Sequence, residues 1–117
     1  MSVGDRIVIG NSYTFKPESG ESVMVYGIKL NPDGSPDMAP DGSVGIIALG
    51  GCKIGSSGTI NGPIVKTHRS YLHNGSDYIK GIGGNDFVNM IPIFLDTYQK
   101  VAYLPVDHIR LYGGFTN

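Results

Sequence analysis

Short runs of apolar and β-branched residues alternate with polar residues along the whole chain, and Gly or Pro interrupts most of them. The clearest pattern extends from Phe87 to Tyr112. It predicts a β-hairpin across the polar turn Thr97–Lys100, followed by a sharp bend and a short closing strand. Pro92 interrupts the first strand of this hairpin. Because proline cannot donate to a ladder, we predict that this strand lies at a sheet edge or bends there.

Helical periodicity is weak throughout the chain. No window keeps an apolar i, i+3, i+4, i+7 pattern for ten residues without Gly or Pro, which predicts little or no helix apart from a short 3₁₀ turn. Further strands are predicted at Asp5–Ile9, Tyr13–Phe15, Val44–Leu49, Gly58–Ile60, Ile64–His68 and Tyr78–Lys80.

The segment Ser22–Leu30 predicts a strand that is covered on both faces. Apolar side chains fall on one face and a Val pair falls on the other. Gly27 inside this strand indicates a β-bulge or the close approach of another backbone. The two sets are Met24, Tyr26, Ile28 and Leu30 on one face, and Val23 and Val25 on the other.

Two long polar segments separate the strands. Residues 31–43 contain two Pro-Asp-Gly-Ser units, and residues 69–86 contain the turn signals Asn74-Gly75 and Gly81–Asp86. Loops of this length are usually mobile or in contact with another molecule. Asn61-Gly62-Pro63 predicts a further turn. Asp33, Asp37 and Asp41 recur every four residues, which favours turn chemistry over a calcium loop, because calcium loops supply oxygens from alternate residues.

Five segments occur in an order that resembles the SH3-like small barrels, in which a hairpin leads through a 3₁₀ turn into a short last strand. They are Asp5–Ile9, Gly58–Ile60, Ile93–Asp96, Val101–Pro105 and Val106–Leu111. The resemblance covers about Asp5–Ile9 and Gly58–Tyr112. It implies an all-β fold in a single domain over residues 1–117, with a barrel core at about 3–9 and 58–112 and a hairpin and loop insert at about 10–57. The acidic, aromatic loop by which peptide-binding SH3 domains hold polyproline is not recognisable, so that activity is not carried over.

Composition changes this picture in one respect. Only 16% of the 117 residues are charged, against about 25% in an average soluble domain, and 18 are glycine. A sparsely charged surface fits either a small, turn-rich β protein or a subunit whose surface is covered by neighbours.

The absence of a run near ~18 apolar residues argues against a membrane helix. The first ten residues show neither a basic leader nor a long apolar stretch, so we expect no signal peptide, and the lone Cys52 fits a reducing compartment. We therefore expect a cytoplasmic or virion location rather than secretion.

Candidate catalytic and metal-binding chemistry is sparse. The possible soft ligands are Cys52, His68, His73 and His108, and their spacing matches no established zinc site. Cys52 with a histidine could form a nucleophile pair, but its flanking residues match no hydrolase motif. The glycines at 81–86 precede a strand rather than a helix, so they read as a turn and not as a phosphate loop. We predict no catalytic, metal or cofactor-binding residues.

One cluster suggests a second kind of function. Lys66, His68, Arg69 and His73 surround Tyr71, and basic residues interleaved with an aromatic ring are what single-stranded nucleic acid requires. Against this, the footprint is small and the net charge of the chain is −1.

The sequence thus favours a non-enzymatic structural or interaction subunit. By analogy, a capsid- or tail-associated stabilising or decoration protein of a phage virion has these traits. Its partners would be other protein subunits in an oligomer or larger assembly, without a cofactor, a membrane or a small-molecule substrate. The alternative is a small SH3-like barrel that binds nucleic acid.

Overall fold

The computed structural model describes residues 1–11, 15, 20–68, 73–74, 77–78 and 87–112, with the backbone alone at 73–74 and 77–78. Within these residues the chain forms β-strands and a single 3₁₀ turn at Val106–His108. The predicted all-β class is therefore confirmed. No helix in the described residues has the length and apolar character needed to cross a membrane. The strands are β1 (Arg6–Ile9), β2 (Ser22–Ile28), β3 (Ile46–Lys53), β4 (Ser57–Ile60), β5 (Val65–His68), β6 (His73–Asn74), β7 (Asp77–Tyr78), β8 (Phe87–Leu95), β9 (Lys100–Pro105) and β10 (Ile109–Leu111).

All strand pairs are antiparallel, and one sheet contains eight of the strands. Its order is β10-β1-β4-β8-β9-β2-β3, and β5 also pairs with β8. The strands β6 and β7 form a separate pair. The hairpin β8–β9 runs into the 3₁₀ turn and then into β10, which pairs with β1. This confirms the predicted hairpin, bend and closing strand.

Both faces of the central strands are buried, and β2 shows this most clearly. Val23 and Val25 lie in a first hydrophobic cluster, whereas Tyr26 lies in a second, against which Met24 and Ile28 pack. The predicted two-faced burial of this segment is thus confirmed for residues 23–28. The first cluster comprises Ile7, Ile9, Val23, Val25, Cys52, Ile54, Ile60, Ile91, Ile93, Leu95, Ala102, Leu104 and Ile109, and the second comprises Tyr26, Val44, Ile46 and Met90.

Of the two alternatives predicted for the strand containing Pro92, an edge position or a bend, the edge position is wrong. On one side β8 pairs with β9, and on the other it pairs first with β5 and then with β4. Pro92 lies at the break between these two partners, where its carbonyl accepts a 2.9 Å bond from the amide of Asn61. In an antiparallel strand the N–H and C=O of one residue point to the same side. The donor that proline lacks would therefore have pointed into this gap, where no ladder needs it.

Asn61-Gly62-Pro63 does not reverse the chain, contrary to the predicted turn. The strands on either side of it, β4 and β5, do not pair with each other; both pair antiparallel with β8 and run in the same direction along it. At the predicted turn the chain continues in the same direction, leaving the part of β8 that pairs with β4 and reaching the part that pairs with β5.

The strand predicted at Val44–Leu49 is displaced and longer, since β3 spans Ile46–Lys53. Its glycines at 50 and 51 remain in the ladder opposite β2. The register shifts between Val25 and Tyr26, which leaves Leu49 as the extra residue of a β-bulge beside Gly50, whose φ is 139°. The bulge predicted at Gly27 thus occurs in the same strand pair but not at Gly27, which pairs regularly with Ile47; its extra residue lies on the neighbouring strand.

Predictions within residues 12–14, 16–19, 69–72, 75–76 and 79–86 lie outside the described residues, and these include the turns predicted at Asn74-Gly75 and Gly81–Asp86. This applies to most of the Tyr13–Phe15 strand. Of the strand predicted at Tyr78–Lys80, β7 contains Tyr78.

A polar network joins β1 and β4 to the residue that follows β8. Arg6 donates from Nη1 to Oδ1 of Asp96 at 2.9 Å and from Nη2 to Oδ2 at 2.6 Å. The hydroxyl of Ser57 donates to the same Oδ2 at 2.7 Å, and Arg6 Nη1 also donates to Oγ1 of Thr59 at 2.9 Å. The hydrogen bonds from Arg6 and then from Ser57 lower the pKa of Asp96 to about 2.

We expect Asp96→Asn to lower the free energy of unfolding at pH 7 by about 1 kcal/mol, because the ion pair is exposed and screened by water. The carboxyl has a lower pKa in the folded than in the unfolded chain, so its stabilisation is present above about pH 4 and is lost as the pH falls towards 2. Urea unfolding of both proteins at pH 7 and near pH 2 tests this. An equal difference at both pH values would contradict it.

Candidate functional site

The segment between β2 and β3, residues 29–45, is folded into two matching turns; we call it the arm. In the first turn, Oδ1 of Asp33 accepts bonds from the amide and hydroxyl of Ser35 at 2.9 and 2.6 Å. In the second, Oδ1 of Asp41 accepts the same pair from Ser43 at 2.9 and 2.6 Å. These serine hydrogen bonds lower the pKa of both carboxyls. The turn interpretation of the two Pro-Asp-Gly-Ser units is thus confirmed.

Backbone hydrogen bonds hold the two turns together. The amide of Lys29 donates to the carbonyl of Gly45 at 2.9 Å, Gly45 donates to Asp37 at 2.8 Å, and Asp37 donates back to Lys29 at 2.9 Å. Although the arm is folded, Leu30 and Met38 remain 59% and 58% exposed. The arm therefore presents two large apolar side chains on a backbone that is already ordered.

The strand β3 forms one edge of the sheet in the described part of the chain, where β2 is its only strand neighbour. Ile47 and Leu49 on this strand are 48% and 41% exposed. Other groups approach the edge near its two ends. The amide of Val44 donates to the carbonyl of Lys66 at 2.9 Å, and the hydroxyl of Tyr98 donates to the carbonyl of Gly51 at 3.4 Å. Between these two contacts, no hydrogen bond from another described segment reaches the outer side of residues 46–50.

The structure brings together two of the five residues predicted for nucleic-acid contact. Lys66 and His68 lie on one face of β5 and flank Phe87 of β8: the Nζ of Lys66 is 4.5 Å from the centroid of the Phe87 ring, and the His68 ring is 4.7 Å from it. Nε2 of His68 is 3.3 Å from Oδ2 of Asp41 in the second turn of the arm. Arg69 and Tyr71 lie outside the described residues, and His73 begins β6, where the backbone alone is described.

Phe87 and Asp41 are thus cluster members that the sequence analysis missed. The pairing of His68 with Phe87 in the β5–β8 ladder was in principle predictable from strand register. The approach of Asp41 depends on how the arm folds back. Within this cluster the ammonium of Lys66 already lies over the Phe87 ring, and a carboxylate lies beside the imidazole, so part of the basic character is offset internally.

Cys52 is fully buried in the first cluster, and burial raises the pKa of its thiol. Burial also lowers the pKa of His108, whose Nε2 is 3.9 Å from Oδ1 of Asp107. Among the described residues, no three His, Cys, Asp or Glu side chains are grouped as a metal site requires. The thiol of Cys52 therefore lacks both the accessibility and the thiolate character of an activated nucleophile.

We expect Cys52 to be unreactive towards Ellman's reagent in the native protein at pH 8 and to react fully in denaturant, because only the exposed thiolate attacks the disulfide. The release of thionitrobenzoate, followed with and without urea, tests this. Rapid stoichiometric reaction without denaturant would contradict the burial of the thiol.

Comparison with models of protein families, with curated proteins and with solved structures gives no match for this chain.

Proposed function

We propose that this chain is a non-enzymatic structural or interaction subunit of a larger assembly, and that the arm and the β3 edge form its contact surface. The observation that carries the proposal is the arm. A segment rich in Pro and Gly is fixed by its own turns and backbone bonds, yet holds Leu30 and Met38 more than half exposed. An element that is ordered before binding loses less conformational entropy on binding than a flexible loop does. Large exposed apolar groups gain by being covered.

We further propose an SH3-like barrel as the scaffold. The order β10-β1-β4-β8-β9 supports it, because the last strand follows a 3₁₀ turn and returns to pair with the first strand. In this interpretation the barrel core is residues 3–9 and 58–112. The insert at 10–57 supplies the β2–β3 hairpin, which adds to the sheet beside β9.

Among assemblies, we propose a phage virion, in which the chain is a capsid- or tail-associated stabilising or decoration subunit. This step is an analogy from composition: 16% charged residues and 18 glycines fit a rigid β subunit whose surface neighbours cover. The buried, protonated Cys52 supports the non-enzymatic part of the proposal.

Gradient sedimentation of a lysate from cells that produce this chain together with its natural partners tests the proposal. We expect the wild-type chain to sediment with large particles, and the variant Leu30→Ser/Met38→Ser to shift to the free pool with an unchanged melting temperature. Ile64→Ser is the matched control, because Ile64 is 53% exposed but lies outside the arm; it should remain with the particles. A wild-type chain found only as free protein would overturn the proposal.

The alternative, a nucleic-acid-binding barrel, rests on Lys66 and His68 beside Phe87. It requires affinity for single strands to fall with salt, by about 0.7 log units per log unit of salt for each phosphate contacted. The Lys66 ammonium already lies over the Phe87 ring, where a base would have to stack, and the Asp41 carboxylate beside His68 would repel a phosphate. We therefore expect no measurable binding of labelled RNA or DNA in a titration from 50 to 200 mM salt. Binding with a steep slope that Lys66→Ala reduces would favour the alternative.

A further inference from the structure

We propose that Asn61 is a site of spontaneous covalent modification, at which the side-chain amide is lost as ammonia and aspartate or isoaspartate remains. This chemistry is fastest at an Asn or Asp that glycine follows. The backbone nitrogen of the following residue must attack the side-chain carbonyl carbon, and a Cβ on that residue hinders the approach. Three such pairs lie wholly within the described residues: Asp33-Gly34, Asp41-Gly42 and Asn61-Gly62. The fold protects the two pairs in the arm and leaves the third accessible.

The reaction exchanges ammonia for water. The nitrogen of Gly62 loses its proton and forms a bond to Cγ of Asn61, while the bond from Cγ to Nδ2 breaks and ammonia leaves. Water then opens the cyclic succinimide at either of its two carbonyl carbons. Opening at Cγ gives aspartate with the backbone unchanged. Opening at the main-chain carbonyl carbon gives isoaspartate, in which the backbone runs through the former side chain and gains a carbon atom.

The Asn61-Gly62 pair has the exposure and the freedom that this attack needs. Asn61 is exposed, and its side-chain amide makes no hydrogen bond within the described part of the chain. The amide of Gly62 donates to no acceptor there either, so the attacking nitrogen is not held by another group. The amide of Asn61 does donate to the carbonyl of Pro92, at 2.9 Å. This bond lies on the other side of Cα from the reacting groups, so it persists while the Cα–Cβ and Cα–C bonds of Asn61 rotate.

The two turns of the arm have the opposite arrangement. In each turn the glycine amide donates at 2.9 Å to the carbonyl three residues before it, which holds the attacking nitrogen. Oδ1 of each aspartate accepts both the amide and the hydroxyl of the serine two residues further on. These bonds lower the pKa of both carboxyls, and an ionised carboxylate has no leaving group until it is protonated. Attack at Asp33 or Asp41 therefore requires several hydrogen bonds to break and a proton to be taken up.

Isoaspartate at position 61 would alter the step from β4 to β5, both of which pair with β8. Gly62 lies against β8 here, since a Cβ on it would be 3.3 Å from Cγ of Pro92. A longer backbone in this confined step displaces β5. The strand β5 also holds the arm, because the amide of Val44 donates to the carbonyl of Lys66 at 2.9 Å and the hydroxyl of Thr67 donates to the carbonyl of Val44 at 2.7 Å. We therefore expect isoaspartate, but not aspartate, at this position to lower the melting temperature.

Prolonged warm incubation of the full chain at neutral pH, native and in guanidinium chloride, tests the proposal. Peptide mapping by mass spectrometry measures the loss of Asn61, and labelling with an isoaspartyl methyltransferase measures isoaspartate at all three sites. The denatured rate at each site is its own reference, which removes the intrinsic difference between Asn and Asp. We expect the native rate at Asn61 to lie within about fivefold of its denatured rate, which is the factor that one hydrogen bond supplies. The native rates at Asp33 and Asp41 should fall about tenfold or more below theirs, because several bonds must break.

Two variants sharpen the test. Asn61→Gln should abolish the product at this position, because the longer side chain would have to close a larger ring. Ser35→Ala removes the hydroxyl that Asp33 accepts and should raise the native rate of isoaspartate formation there, whereas Asp41, whose serine is intact, stays protected.

The proposal is overturned if the native chain keeps Asn61 intact while the denatured chain loses it, or if folding slows all three sites equally. An unchanged rate at Asp33 in Ser35→Ala would contradict the protection by the serine. The aspartate and isoaspartate forms of the aged protein are separated by chromatography and melted, with Asn61→Asp as the reference for the added charge. Equal melting temperatures would contradict the displacement of β5.

Discussion

Gly58→Ala is expected to destabilise the protein by about 3 kcal/mol or more, a large effect for a single methyl group. Gly58 lies in β4 between β1 and β8, paired with Ile7 and Leu95. A Cβ at this position would lie 2.5 Å from Cγ2 of Ile93 and 2.6 Å from the carbonyl oxygen of Phe94. The oxygen belongs to the backbone of β8, which pairs on both sides and cannot move without breaking a ladder. Urea unfolding, or the melting temperature if the variant is only partly folded, measures the loss.

Gly27→Ala is the matched control. Gly27 also lies in a strand and lacks a positive φ, but its added methyl group would meet only the flexible end of Leu49 at 3.4 Å. We expect a change within about 0.5–1 kcal/mol, with stabilisation favoured because Ala restricts the unfolded chain. If both substitutions cost the same, the close approach of β4 and β8 at Gly58 is not the cause.

These two glycines also show that a sequence pattern does not predict how closely two strands approach each other. Gly27 interrupts an alternating strand and therefore drew attention, whereas Gly58 begins a short β-branched run and did not. The close backbone contact is at Gly58, because it depends on which strand lies beside β4. Sequence alternation reports which face a residue occupies, but the distance to the next strand is a property of the folded sheet.

The contrast between local sequence pattern and the arrangement of neighbouring strands also explains which other elements were predicted correctly and which were not. The C-terminal hairpin, the 3₁₀ turn and β10 follow from local residue chemistry and were predicted. Pro92 and Asn61-Gly62-Pro63 were misread because both lie at the junction where β8 exchanges β5 for β4. At such a junction a proline loses no ladder bond and a turn signal need not reverse the chain. A change of strand partner leaves no local mark in the sequence.

The residues of the candidate sites also divide into those that strand periodicity predicts and those that depend on how the chain folds. Lys66 and His68 lie together beside Phe87, because residues two apart on a strand share a face. Asp41 reaches His68 only through the fold of the arm. The exposed apolar side chains of the arm and of β3 could not be told from core residues by sequence, since a Leu or Ile is equally apolar on either side of a strand.

Tyr26→Ala is the second substitution for which we expect a large effect, about 3–5 kcal/mol. Tyr26 is the largest fully buried side chain among the described residues, and it belongs to the second cluster, with Met90 of β8. Its removal leaves a cavity between β2 and β8, which the two-faced packing of both strands prevents from collapsing. Val25→Ala removes a smaller side chain from the opposite face of β2, in the first cluster, and should cost less.

The reactivity of Cys52 shows whether the two clusters unfold together. Cys52 belongs to the first cluster and pairs with Val23 in the β2–β3 ladder, so nothing in the second cluster shields it directly. If the predicted single domain is one cooperative unit, Tyr26→Ala should raise the logarithm of the rate of Cys52 modification by Ellman's reagent in proportion to the lost free energy of unfolding. Because β2 and β8 contribute side chains to both clusters, we expect this coupling and a single unfolding transition. A Tyr26→Ala protein with two transitions and an unchanged Cys52 rate would mean that the two hydrophobic clusters unfold as separate units.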